Sequence, residues 1–176
     1  MIEIQKIALV NENDEITGYG EKFDVHRRGL LHRAFSVQII HPEKGFLLQK
    51  RALRKYHSAG LWSNTCCSHL PENFEMETAV RQRLMLEMGI DCKPVYVGKF
   101  AYSSVFRNGF TENEIDHVYV GIWEGVPEMH PDEADSFTWI FPDMLKINLA
   151  AYPELYTVWL PFVFDTIRNS ENAVLF

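Results

Sequence analysis

The sequence predicts a single α+β domain, a mixed sheet sandwiched between helices, and three observations carry that expectation. Strand-length apolar runs recur along the chain, separated by turn residues. The segment 74–88 lacks Gly and Pro, places Met76, Ala79, Val80 and Leu84 at helical spacing, and stops at Gly89. A second helical pattern closes the chain, so strands and helices are interleaved with hairpins, as in an α+β or layered α/β/α domain.

Taken in order, Ile7-Ala8-Leu9-Val10, the polar Asn11, Asn13 and Asp14, and then Ile16 read as a strand, a turn and a second strand. Ala34 to Ile40 is an apolar strand, broken by His41-Pro42-Glu43-Lys44-Gly45 and resumed by Phe46-Leu47-Leu48-Gln49, a second hairpin. The helix over 74–88 follows, with Gly89 as its C-terminal cap. Strand patterns return at Val95-Tyr96-Val97, from Ile115 through Trp123, and at Phe137-Thr138-Trp139-Ile140. The tail from Glu154 to Arg168 is helical in pattern, and Pro161, which lacks a backbone donor, kinks it or starts a new helix. No internal repeat, low-complexity tract or linker interrupts the 176 residues, so 1–176 reads as one domain.

Composition narrows the function classes. A 47% hydrophobic content suffices for a sizeable core, and a net charge of -7 with a pI near 5.5 disfavours binding nucleic acid by phosphate neutralisation. The N-terminal Met1-Ile2-Glu3-Ile4-Gln5-Lys6 does not read as a secretory leader, and no run approaches the roughly 18 apolar residues of a membrane span. The three cysteines, two of them adjacent, do not make a disulfide framework and suit a reducing compartment, so the expected location is cytoplasmic.

Four groups of residues carry chemistry. Cys67 lies two residues from His69 within Trp62-Ser63-Asn64-Thr65-Cys66-Cys67-Ser68-His69, which offers a redox pair, a metal corner or a proton-transfer site. Glu112 and Glu114 enter a strand, where period-2 alternation sends both carboxylates to one face. With His26, His32 and His69 they make three nitrogens and two carboxylates, a set suited to Mn, Fe, Mg or strained Zn rather than a Cys-rich structural zinc. Lys22, Arg51, Lys55 and Arg83 are candidates to grip a multiply charged phosphate ester. Glu87, near the end of the helix, gains meaning if a bound diphosphate brings Mg²⁺ that needs a protein oxygen. His41, His57, His117 and His130 read as ordinary surface or hydrogen-bonded histidines.

An ordered set of motifs resembles type 1 isopentenyl diphosphate isomerase, a branch of the Nudix superfamily, over nearly the whole chain. The motifs are Glu21-Lys22 with His26, Leu31-His32-Arg33-Ala34-Phe35, Lys50-Arg51-Ala52 with Lys55, Trp62 to His69, Glu87-Met88-Gly89, and Glu112-Asn113-Glu114. The resemblance implies a single Nudix-type domain that converts isopentenyl diphosphate to dimethylallyl diphosphate. An alkene is protonated at its terminal carbon to a tertiary carbocation, and a proton then leaves C2, which calls for an acid and a base on opposite faces of the substrate. By family analogy these are Cys67 and Glu114, with Tyr102 assisting proton delivery.

The same analogy assigns His26, His32, His69, Glu112 and Glu114 to a protein-bound Mn²⁺, Mg²⁺ or Zn²⁺. Glu87 and the Cys67 carbonyl are assigned to Mg²⁺ arriving with the diphosphate, and Lys22, Arg51, Lys55 and Arg83 to its oxygens. The expected partner is the small-molecule substrate alone, with neither nucleic acid nor membrane, for a monomer or weak homodimer. Two departures stand out. The Arg-Glu-x-x-Glu-Glu pattern of the Nudix box is reduced here to Gln82-Arg83-Leu84-Met85-Leu86-Glu87, which weighs against the alternative of a hydrolase acting on a nucleoside diphosphate derivative. Where the family places a tryptophan after a proline, against the cationic intermediate, Pro161 is followed by Phe162 and preceded by Trp159, so either ring is a candidate.

Overall fold

Nine strands and four α-helices make up the computed structural model, which describes residues 5–170. Residues 1–4, most of the stretch judged not to be a leader, and 171–176, the end of the expected domain, lie outside the described residues. Strand β1 (Lys6–Val10) turns into β2 (Ile16–Glu21), and helix α1 (Lys22–Arg28) follows. Strand β3 (His32–His41) turns into β4 (Gly45–Arg51), after which come the short β5 (Trp62–Ser63) and β6 (Cys66–His69). Helix α2 (Met76–Met88) precedes the long pair β7 (Val95–Val105) and β8 (Thr111–Ile122). Strand β9 (Ala134–Ile140), α3 (Pro142–Ala151), a 3₁₀ turn at Pro153–Leu155 and α4 (Leu160–Asn169) complete the chain.

Local chemistry explains the turns. Asn11 Oδ1 accepts from the backbone N–H groups of Asn13 and Glu15, closing the first hairpin, and Asp14 takes a left-handed φ of 65° there. The second hairpin ends at Gly45, φ 83°, where an added Cβ would stand 2.5 Å from the Ile140 carbonyl oxygen; only glycine lets β9 approach so closely. Gly89, φ 65°, caps α2 by donating to Met85 O.

Strand β3 is the centre of the sheet. It pairs antiparallel with β6 through Ala34↔His69 and Ser36↔Cys67, and parallel with β8 from His32↔Glu114 to Ile40↔Ile122. Strand β7 covers the far edge of β8, while β4 carries β5 and β9. Alternation then sends Phe35, Val37 and Ile39 to one core, with Ala79, Val80, Leu84 and Met88 of α2 and with Cys66. Ile40, Val118 and Val120 face the other core, built with Leu160, Val163, Phe164 and Ile167 of α4. Burial on both faces is why β3 reads as a nearly continuous apolar run. Helices on both sides make this the expected sandwich.

Two helices correct the sequence reading. Helix α1 was not anticipated, although Glu21 accepts from the N–H groups of Phe23 and Asp24 and Gly29 closes it at φ 60°. Helix α3, opened by Pro142 at its first turn, was not anticipated either. In the tail, the second of the two outcomes expected for Pro161 holds: 156–159 is irregular and a new helix, α4, begins at Leu160. Among the described residues no helix is long and apolar enough to cross a membrane.

Candidate active site

On the α4 side, the same alternation that builds a dry core at one end of β3 and β8 sets a row of polar side chains at the other. His32, Ala34 and Ser36 of β3 lie between Cys67 and His69 of β6 and Glu112, Glu114 and Asp116 of β8, and Tyr102 of β7 is the register partner of Glu114. Cys67 and Glu114 are therefore diagonal across Ala34, one strand to either side of it. The small Ala34 keeps the floor low between them, and all three line one cleft with Tyr102, His69 and Trp159.

At one end of the cleft sits a buried histidine and carboxylate cluster. Ligand atoms of His26, His32, His69 and Glu112 lie within 4.8 Å of one another. His26 Nδ1 is 2.5 Å from Lys22 O and His32 Nδ1 is 2.8 Å from Leu30 O, so each ring donates Nδ1–H to a carbonyl and turns the Nε2 lone pair inward. Those Nε2 atoms stand 3.1 and 3.4 Å from Glu112 Oε2, yet none of the three atoms has a hydrogen bond of acceptable geometry. Converging lone pairs without protons between them are what a cation satisfies, so the donor set fits a divalent metal. Glu114 Oε1 joins at 2.9 Å from His69 Nε2 and 3.3 Å from His32 Nε2.

Charge in this cluster is biased toward a cation. Burial opposes a positive His32, but the close approach of the Glu112 and Glu114 carboxylates favours positive charge there and raises it to about 10, a pull that a divalent ion on the Nε2 lone pair would answer in place of a proton. Burial would likewise raise Glu112, yet contacts from His26, His32, His57 and His69 hold it well below the usual carboxylate range. Nearby, burial and the carboxylate charges push Tyr102 far up, keeping it a neutral phenol. Burial also raises Cys67, to about 12, against the lowering influence of Arg51 and Lys55. At rest Cys67 is a thiol. Cys66, fully buried in the α2 core, is a packing residue.

The rest of the cleft is cationic: Lys22, Arg51, Lys55 and Arg83, from three separate stretches of chain, all line it. Lys22 sits four residues before His26 on α1, so one helix face serves both ends. Burial and the charges of Arg83 and Lys55 lower Lys22. Arg83 donates to Glu87 Oε1 at 2.8 Å and to Glu133 Oε1 at 2.7 Å, while Glu133 Oε2 accepts from Lys55. Glu87, 2% exposed, also accepts from Gln49 at 2.9 Å and lies one layer behind Arg83. Two carboxylates thus hold the cations that would otherwise repel one another.

The polar segment 63–65 positions the Cys-bearing strand. Asn64 donates to the carbonyls of Cys66 and Val37 and accepts from Trp159 Nε1 at 3.0 Å, while Thr65 donates to Leu47 O and accepts from Ile39 N. Trp159 is thereby fixed in the cleft wall, 3% exposed, with the Arg51 guanidinium 5.2 Å from its ring. Phe162 is brought elsewhere: 44% exposed, it stacks on Phe100 at 5.4 Å and on Tyr102 at 6.1 Å, behind the cleft. Of the two candidate rings, Trp159, just before α4, lines the cleft, and Phe162 packs against the ring of Tyr102.

Sequence reasoning missed several residues. His57, read as an ordinary surface or hydrogen-bonded histidine, is buried against Glu112 Oε1 at 2.7 Å, next to the candidate metal ligands. Glu133 and Asp116 carried no motif. Asp116 accepts from Ser36 Oγ at 2.7 Å, leaves Oδ1 without a partner, and is raised by burial and by Glu114. A Lys-x-His pair at 55 and 57, directly following the cationic strand end, was the available signal for His57.

Residues 30–160 match the NUDIX domain family. The chain is 42% identical over 167 residues to isopentenyl-diphosphate Delta-isomerase 2 of Aromatoleum aromaticum, covering 95% of this chain and 88% of that protein. It is 40% identical over 170 residues to the isopentenyl-diphosphate Delta-isomerase of Pectobacterium atrosepticum, covering 97% and 95%. Among solved structures, DR0079 from Deinococcus radiodurans shares the fold with a TM-score of 0.75 over 91% of this chain and 97% of that chain, at 16% identity. The MutT protein from Methanosarcina mazei Go1 does so with a TM-score of 0.63 over 77% and 91%, at 18% identity.

Proposed function

The chain belongs to the NUDIX family and, within it, to the isopentenyl-diphosphate Delta-isomerases, and on that premise we propose how its own residues convert isopentenyl diphosphate to dimethylallyl diphosphate. The observation that carries the reading is the placement of Cys67 and Glu114 on opposite sides of Ala34, between a cationic end and a histidine and carboxylate end. The reaction adds a proton to the terminal alkene carbon and removes one from C2, through a tertiary cation. Cys67 and Glu114 carry these two transfers from opposed walls, and the neutral Tyr102 hydroxyl hydrogen-bonds to the proton-bearing group.

Lys22, Arg51, Lys55 and Arg83 grip the diphosphate, which fixes the C5 chain over Ala34. Trp159 closes the wall beside the developing cation, where an aromatic face contributes about 2 kcal/mol or more once water is excluded. His26, His32, His69 and Glu112, with Glu114 beside them, would hold a divalent ion, Mn²⁺, Mg²⁺ or Zn²⁺. That ion, when bound, supplies positive charge that orients Glu114 and tunes its proton affinity. Glu87 and the Cys67 carbonyl would hold Mg²⁺ arriving with the diphosphate; a carboxylate that accepts from Arg83 and Gln49 still has lone pairs to offer. The free cysteines support a reducing, cytoplasmic setting. The enzyme is expected to work as a monomer or weak homodimer.

Hydrolysis of a nucleoside diphosphate derivative is disfavoured because α2 retains Glu87 alone of the Nudix-box glutamates, too few carboxylates to hold several metals on that helix. The deciding experiment incubates the protein with isopentenyl diphosphate and Mg²⁺ and follows dimethylallyl diphosphate, with metal content measured on the same sample. Product no greater than that of a Cys67→Ala control would reject the reading.

A further inference from the structure

We infer that His57 is a positioning residue that clamps Glu112 for the metal centre and ties the loop over residues 52–61 to it. The inference rests on the reading of the histidine and carboxylate cluster as a metal centre. Three histidines approach Glu112 Oε2, at 3.1 Å for His26, 3.4 Å for His32 and 3.7 Å for His69. Among the described histidines His57 alone meets the other oxygen, with Nε2 at 2.7 Å from Oε1. The carboxylate is divided: one oxygen is held by a donor from outside the cluster, and the other is left facing the lone pairs of His26 and His32.

His57 is suited to that task because its own ring cannot turn freely. It stacks on Phe106 at 4.5 Å and 15°, and meets Tyr56 edge-on at 4.5 Å and Trp159 edge-on at 5.9 Å. Its Nδ1 is 3.2 Å from Ser58 Oγ, and its carbonyl accepts from Arg51 Nη2 at 3.2 Å. The same loop carries Lys55, two residues earlier, at the cationic end of the cleft. Fixing Glu112 around an ion therefore also fixes the loop that presents one of the diphosphate cations, and by linkage ordering of the loop favours the ion.

The test compares two amides of equal polarity and different reach. A glutamine places its amide nitrogen near the position of His Nε2, whereas an asparagine falls a methylene short. Mn²⁺ affinity is measured on the full chain by competition with a chromophoric chelator, in the absence of substrate. His57→Asn is expected to weaken Mn²⁺ by about 10- to 100-fold and His57→Gln by about threefold or less, the range known for partners of metal ligands. Phe106→Leu, which removes the stacking ring and leaves Glu112 untouched, is expected to weaken Mn²⁺ by a few-fold and keeps the test decisive if the asparagine variant does not fold. Trypsin cleavage after the exposed Arg54 should slow when Mn²⁺ is added to the parent and to His57→Gln. Equal affinity in the two amide variants, an unchanged affinity in Phe106→Leu, or no Mn²⁺ protection of Arg54 in the parent would overturn the inference while the metal reading stands. A parent that binds no Mn²⁺ would overturn both.

Discussion

The two ends of the cleft solve opposite charge problems with opposite degrees of completion. At the cationic end Arg83 and Lys55 are already paired, by Glu87 and Glu133, so the end keeps its shape before a ligand arrives. At the histidine end, Nε2 of His26 and His32 and Oε2 of Glu112 face one another without a hydrogen bond. One end is organised by internal counter-ions; the other waits for a cation, because orphaned buried lone pairs cost more than the contacts around them return. Where the two groups meet, Cys67 stands beside Arg51 and Glu114 beside His69 and His32, so their chemistry depends on both.

Breaking the middle should have the largest effect. Cys67→Ala is expected to lower turnover by about 10³-fold, with the substrate KM little changed, as removal of a proton-transfer group does. A turnover within tenfold of the parent would remove Cys67 from the reaction. Next comes the histidine end: Glu112→Gln should weaken divalent-metal affinity by about 100-fold or more and abolish the rise in Tm that added metal produces in the parent. A metal-dependent Tm rise that survives the change would relocate the metal.

At the cationic end the pairing predicts a milder loss. Lys55→Met should raise KM by about tenfold, in line with about 1.5 kcal/mol for a charge-assisted contact, while kcat falls less. A kcat effect larger than the KM effect would place Lys55 at the reacting carbons instead. Alkylation of Cys67 reads the charge state directly. With the thiol pushed up to about 12, iodoacetamide inactivation should be slow at pH 7 and accelerate about tenfold per pH unit through pH 9. A rate that levels off near pH 8 would mean that the cations lower the thiol far more than its burial raises it.

The smallest effect belongs to a charge cluster of similar make-up away from the cleft. Asp14 accepts from Lys99 and His117 at 2.8 Å and from Arg33, every donor facing an acceptor. Burial alone would raise Asp14, but these partners hold it below 3.8. A depressed carboxylate stabilises the fold above its unfolded pKa and loses that contribution as the pH falls through the folded value. Asp14→Asn should therefore cost about 1–2 kcal/mol at pH 7 and progressively less below about pH 4, with turnover unchanged. Denaturant melts at the two pH values check this, and a turnover loss would mean that the cluster reaches the site.

Much of this was legible in the chain. Period-2 alternation placed Glu112 and Glu114 on one face, and Gly89 marked the end of α2, because both depend on backbone geometry that neighbours in sequence impose. Helix α1 escaped notice because only seven residues form it and its apolar face is a single Val25 beside a functional His26. Phe162 and Trp159 were indistinguishable in sequence; a hydrogen bond to Asn64, 95 positions away, decides which ring faces the cleft.

The sequence by itself determined the fold class, the long strands and helix α2 and, through ordered motifs, the family to which the chain belongs, while α1, α3 and the short strands β5 and β6 came only with the fold. The tertiary structure alone decided how carboxylates are shared. Glu133 with Arg83 and Lys55, Glu112 with His57, and Asp116 with Ser36 are pairings across 50 to 80 residues of chain, made where strands and loops converge. The physical reason is range. Alternation and capping act over a few residues of backbone, whereas the partner of a buried charge is set by what the fold brings within hydrogen-bond distance once water has left.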